Sequence, residues 1–285
     1  MRMTGRRESS NVDDRRGMSG GKKAGLGLAG IVVVVVIALF TGQDPTAMLS
    51  QMGAAETQQT EGRTEFTEEE QQLATFSKQV LAGTEDVWTA EFKKMGKTYR
   101  APKMVLFTSS VQTGCGGATS AVGPFYCSAD EALYIDLSFF VEMKSKLGAD
   151  GDFAYAYVIA HEVGHHVQHL LGTLDEAHSQ MRSMSQKESN RISVRIELQA
   201  DFYAGVWAYH DNKMFNSIED GDIQEAIHCA EVIGDDYLQK KAQGYDVPES
   251  FTHGRSAQRE KWLRKGLTTG DISQGNTFAL SDAEL

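Results

Sequence analysis

Excess positive charge is missing from this sequence. Its 285 residues carry 28 Lys and Arg against 39 Asp and Glu, a formal net charge of −11, which offers no electrostatic footprint for nucleic acid. Cysteine is scarce. Three residues, Cys115, Cys127 and Cys229, leave no paired set for a cysteine-based metal site. No internal repeat is visible, and a single long hydrophobic run, IVVVVVIALF, stands near the amino terminus. What remains suits one or two domains, with 41% hydrophobic residues to build a core. Histidine is also sparse, eight in all, yet four of them fall within nine residues, His161 to His169.

That cluster lies in VIAHEVGHHVQHLLG, Val158 to Gly172. Val158, Ile159, Val163, Val167, Leu170 and Leu171 recur at helical spacing. His161 and His165, four apart, stack one turn above the other, so both imidazoles can reach one zinc ion. Glu162 stands beside them, where it can take a proton from the attacking water, the mechanical content of H-E-x-x-H. The uncharged flanks fit a helix buried behind its ligands. The competing reading is a chance pentapeptide on a helix surface. His166 points about 100° from His165, and His169 lies about 12 Å along the axis from His161. Both are read as packing or solvent residues.

A catalytic zinc of this kind needs a third protein ligand and an open position. NRISVRIELQADFYAGVWAYH, Asn190 to His210, reads as a second largely buried helix on which Glu197 and Asp201 sit one turn apart. Carboxylates are seldom buried unless paired or bound to metal. Glu197 is the expected third ligand, with Asp201 accepting the ring N–H of a ligand histidine. The alternative is a solvated acidic face. Ala200, Ala204, Gly205 and Ala208 are small and would admit a neighbouring helix, with Gly164 helping on the first.

The amino-terminal region is organised differently. Residues 1–23 are polar and basic, with Arg2, Arg6, Arg7, Arg15, Arg16, Lys22 and Lys23. Ala24–Gln43 carries no charge, and twenty such residues can span the hydrocarbon core of a bilayer. The positive-inside rule then predicts a basic cytoplasmic tail (1–23), a transmembrane helix (24–43), a flexible Gln/Thr/Glu-rich linker (44–65) and a catalytic domain (66–285) across the membrane. A cleaved signal peptide is the runner-up.

Elsewhere, Thr67–Lys94 reads as a helix, Lys103–Thr108 and Ala132–Leu137 as strands, and Phe139–Leu147, Ile218–Gln243 and Ser256–Lys265 as further helices. The expected fold class is therefore α+β: a small mixed or antiparallel sheet with a helical lobe, the zincin arrangement. In such a domain an edge strand near the zinc pairs with extended substrate, and Leu133–Leu137 is the candidate. Cys115 and Cys127 flank the loop TGCGGATSAVGPFYC and would form a disulfide in an oxidising compartment. Cys229 reads as a core residue.

HEVGHHVQ, ELQADFYAGVW and SFTHGRSAQREKW closely resemble the YpfJ-type family of bacterial neutral zinc metallopeptidases. GRRESSNVDDRR, TEDVWTAEFKKMGKTY, GPFYC, YIDLSFF and KLGADGDFAYAYVIAHE are similar as well, so the likeness runs over nearly the whole chain. It implies a peptidase and names no substrate. The family usually carries cysteines where this chain has Phe202 and Gly275; their joint loss fits a family disulfide dropped here, leaving Cys115–Cys127 as the pairing to expect. HExxH followed by E-x-x-A-D also resembles, more distantly, membrane metalloproteases that cleave prenylated proteins. That resemblance implies Glu197 as ligand and Asp201 as support for a histidine. It also implies that His253 and Arg259, six apart, lie near the zinc and aid the oxyanion.

The expected function is hydrolysis of peptide bonds in a peptide or protein substrate. One zinc would be held by His161, His165 and Glu197, with Glu162 as general base, in a protein anchored in the bacterial inner membrane through Ala24–Gln43. Two rivals stand beside it. One is a non-proteolytic zinc-binding scaffold. The other is an HExxH hydrolase of the deformylase type, in which Cys115 would serve as ligand.

Overall fold

A computed structural model describes residues 1–18 and 65–285. The sheet that supports the site has four strands. In chain order they are β1 (Val12–Asp14), β2 (Lys103–Phe107), β5 (Phe125–Cys127) and β6 (Ala132–Asp136), arranged β1-β2-β6-β5. β1–β2 and β2–β6 are parallel and β5–β6 is antiparallel. A separate hairpin joins β3 (Ser110–Thr113) to β4 (Gly116–Thr119). β6 is buried at every position, as an inner strand covered on both faces must be.

The mixed sheet and helical lobe match the α+β expectation, but the assignment of β6 as the substrate edge fails. β6 is hydrogen-bonded on both sides, and β5 holds the outer position. Strand hydrophobicity reports burial, and both apolar strands, β2 and β6, are inner ones.

The helices follow the sequence closely. α1 (Glu68–Lys94) opens on a capping box in which Thr67 and Glu70 satisfy each other's backbone donors. A short helix α2 (Ser138–Glu142) runs on into a π-turn over Met143–Leu147. α3 (Asp152–Leu171) carries the histidine cluster, and α4 (Thr173–Met181) follows it. α5 (Gln186–Phe215) carries Glu197 and opens on a second capping box, Ser185 with Glu188. The expected single helix Ile218–Gln243 is two, α6 (Asp222–Val232) and α7 (Asp235–Gln243). The break falls at Gly234, where a Cβ would lie 2.5 Å from the backbone nitrogen of Ser256, so the chain must turn there without a side chain. α8 (Ser256–Thr269) closes the lobe against α5. Gly205 and Gly266 face each other across that crossing at a spacing that leaves no room for a Cβ.

The first eighteen residues pack with this domain, whereas the sequence reading set residues 1–23 apart from it as a tail; residues 19–23 lie outside the described residues. β1 extends the sheet: the Met104 amide donates to the Asn11 carbonyl at 2.8 Å, and the Arg15 amide to Leu106 at 2.7 Å. Met3 is buried in the main core. Arg6 makes a two-point bond to the buried Asp211, Arg7 bonds Glu85 and Asp86, and Arg16 bonds Asp14 and the Glu70 carbonyl. The arginines counted toward a positive-inside signal are thus engaged by acids of the domain itself. Ala24–Gln43 and residues 44–64 lie outside the described residues. Among the described residues no helix is long and apolar enough to cross a membrane.

Cys115 and Cys127 are disulfide-bonded, which fastens the β3–β4 hairpin to β5. Cys229 is buried in the core, as expected. Positions 202 and 275 adjoin: a Cβ on Gly275 would stand 2.5 Å from the Phe202 ring. The ring occupies the space between the two positions.

Candidate metal centre

α3 is buried along almost its whole length, so its polar residues must find partners inside the protein. Gly164 allows this. A Cβ there would sit 3.0 Å from the Ala200 carbonyl, so α3 and α5 approach closely enough for Glu197 to meet both histidines. His161 Nε2 lies 3.0 Å from Glu197 Oε2, and His165 Nε2 lies 3.6 Å from Glu197 Oε1. The two imidazoles are 4.8 Å apart and nearly perpendicular. Among the described residues, His161, His165 and Glu197 form the one cluster of three ligand atoms close enough to share an ion, all within 4.8 Å of one another.

The chemistry of this donor set fits zinc: two imidazole nitrogens and one carboxylate oxygen, with room for a fourth, non-protein ligand. Both rings are tied down by Nδ1, His161 to Asp201 Oδ1 at 2.8 Å and His165 to Gln168 Oε1 at 2.9 Å. Both therefore turn Nε2 toward Glu197 and toward the place an ion would take. Cys115 is exposed on its hairpin and bonded to Cys127, so the deformylase-type ligand set is excluded.

Glu162 is buried and makes no hydrogen bond to a described residue. Burial raises its carboxyl above the usual range, opposed by the two histidines and reinforced by Glu197. A carboxylate poised in this way suits a general base. Burial also penalises the charge on Glu197, but His165 and His161 overcome that penalty and hold it well below the usual carboxylate range.

Behind His161 lies a fully buried network. Asp201 accepts from His161 Nδ1, from the Tyr157 hydroxyl at 2.5 Å, and from Arg259 Nε and Nη2 at 2.9 Å each. Burial opposes its ionisation, yet Arg259 and then His161 keep it charged, with a pKa of about 2. Asp201 makes the contact with a histidine ring nitrogen that the sequence reading expected of it.

Arg259 is placed differently from expectation. Its guanidinium is spent on Asp201 and Tyr157, so it acts through Asp201 and does not reach an oxyanion. His253 remains a candidate at the site. It is half-exposed, and its Nδ1 lies 3.3 Å from the buried Asp235. Burial disfavours its charged form, but Asp235 and the negative charge of Glu197 raise its pKa.

His166 and His169 stay out of the cluster. His166 bonds the Tyr126 hydroxyl and the Arg100 carbonyl, and His169 contacts Glu131 and Asp175. Tyr157, Gln168 and Asp235 were not read from the sequence. Tyr157 precedes His161 by one turn and Gln168 follows His165 by three residues, so helical spacing carried a signal for both. Asp235 meets His253 only through the tertiary fold.

The chain matches the family described as "Putative neutral zinc metallopeptidase" over residues 1–278. It is 48% identical to the uncharacterised protein YpfJ of Escherichia coli K12, across 99% of this chain and all of that one. It is 40% identical to an uncharacterised protein of Mycobacterium bovis and to one of Mycobacterium tuberculosis, over 68% of each chain. No solved structure matches it.

Proposed function

Since the chain belongs to this family of neutral zinc metallopeptidases, we propose that it hydrolyses peptide bonds with His161, His165 and Glu197 holding one zinc ion and Glu162 as general base. The observation that carries the reading is the convergence of three ligand atoms beside a buried carboxylate that has no hydrogen-bond partner among the described residues. When bound, zinc supplies Lewis acidity to the scissile carbonyl and to a water. Glu162 takes the proton of the attacking water and delivers it to the leaving amine. Tyr157, Asp201 and Arg259 keep His161 oriented. His253, held by Asp235, is the candidate partner of the developing oxyanion.

The substrate enters as an extended strand against β5, the outer strand of the sheet beside α3, where Tyr126 packs on His166. The disulfide to Cys115 fixes the end of that strand.

The protein is membrane-associated through the apolar Ala24–Gln43 run. In this proposal its amino-terminal strand and its catalytic domain share one compartment, a reading supported by the pairing of Val12–Asp14 with Met104–Leu106. The single-crossing arrangement would separate these strands. The disulfide favours an oxidising compartment for both. Hydrolysis of an unfolded protein by purified zinc-loaded chain, compared with its Glu162→Gln form, tests the activity directly.

A further inference from the structure

The hydrogen bonds around Gln168 fix the protonation pattern of His165. Gln168 is fully buried. Its Nε2 lies 2.8 Å from the Ile196 carbonyl and 3.0 Å from Gln199 Oε1, and its Oε1 lies 2.9 Å from His165 Nδ1. A backbone carbonyl only accepts, so the amide nitrogen must face Ile196. A flipped amide would set oxygen against oxygen in a buried site, which is costly. With the amide oriented in this way, its oxygen can only accept from His165. Nδ1 must therefore carry the proton, which makes Nε2 the nitrogen that can offer its lone pair to zinc once the ring is neutral. Gln199 is held in turn: its Nε2 donates to the Gly275 carbonyl at 2.8 Å, in the segment that packs against Phe202.

We infer that Gln168 is the positioning residue for His165, the neutral counterpart of Asp201 at His161, and the inner link of a relay from the ligand through Gln199 to the carboxyl-terminal segment at Gly275. The two ligand histidines are thus supported unequally. His161 is backed by a carboxylate and an arginine, His165 by two buried amides. This inference rests on His165 being a zinc ligand.

The test is zinc affinity of the full chain by chelator competition, with wild type, His165→Ala, Gln168→Met and Gln199→Met. Gln168→Met removes the acceptor at similar length, and affinity should fall about 10–100-fold, the usual effect of losing a ligand's outer partner. Gln199→Met leaves His165 untouched but frees Gln168, so a smaller loss is expected. In zinc-loaded wild type the His165 Nδ1 proton should exchange slowly by NMR, and in Gln168→Met rapidly; a role in packing alone would leave that exchange unchanged. If His165→Ala still binds zinc fully, the ligand reading itself is wrong. If His165→Ala loses zinc while folded Gln168→Met binds it as wild type does, the positioning role is overturned. Should Gln168→Met not fold, Gln199→Met decides: unchanged affinity and unchanged exchange of the His165 proton would overturn the relay.

Discussion

Arg259 meets Asp201 at two points: Nε donates to Oδ2 and Nη2 to Oδ1, each at 2.9 Å, with both side chains buried. The pair fixes one carboxylate oxygen against His161 and takes two of Arg259's five N–H donors, with the Tyr157 hydroxyl and the Ile233 carbonyl taking two more. Removing one partner of a buried pair typically costs about 3–5 kcal/mol, because the other charge is stranded. Arg259→Met should therefore lower stability by that order in denaturant melts and weaken zinc binding. Asp201→Asn should cost about 10–100-fold in zinc affinity or activity, and Glu197→Gln should cost more. An Arg259→Met protein with normal stability and zinc affinity but reduced kcat would return Arg259 to an oxyanion role.

Glu162 has no ligand duty in this arrangement, so Glu162→Gln should retain zinc and fold. Its amide cannot accept the water's proton, and general base catalysis is typically worth about 10²–10⁴-fold. Peptide hydrolysis should fall by that factor with zinc stoichiometry unchanged. A deletion strain fully complemented by Glu162→Gln at normal abundance would point to the scaffold reading.

Zinc and protons compete at His161. Burial opposes its charge, but Asp201 and Glu197 raise the metal-free ring from 6.5 to about 10. The ring is therefore charged at neutral pH, and zinc must displace a proton. Calorimetry in buffers of different ionisation enthalpy should register net proton release on zinc binding, and affinity should weaken as pH falls. The stability of the metal-free fold carries the opposite sign. A raised histidine contributes fully below pH 6.5, and that contribution is lost as pH climbs through about 10. Chelated protein should lose melting temperature over that window, and zinc-loaded protein should lose less.

The amino-terminal strand makes topology testable in cells. Glu8 and Lys97 are both exposed and lie on either side of the apolar run. With Cys229 buried and the other cysteines paired, Glu8→Cys and Lys97→Cys give clean labels. A membrane-impermeant maleimide should treat the two alike in intact cells. Labelling of one alone would show that β1 is not docked in the membrane-bound protein.

Local sequence was enough for the parts of this protein governed by helical periodicity and short-range chemistry. The i, i+4 spacing placed His161 and His165 on one face, and the E-x-x-A-D spacing placed Glu197 and Asp201 on another. The small residues Gly164 and Ala200 marked where the two helices would touch. These are consequences of 3.6 residues per turn, and they survive any tertiary arrangement. Only the tertiary structure decided which strand lies outermost, because hydrophobicity measures burial and says nothing of strand order. Only the folded chain could show that Arg259 serves Asp201, since a guanidinium's partner depends on which helix crosses above it. The same holds for the first eighteen residues. Their arginines read as a membrane-orientation signal, while the acids that bind Arg6 and Arg7, namely Asp211, Glu85 and Asp86, stood some 70 to 200 positions away, beyond the reach of any local pattern.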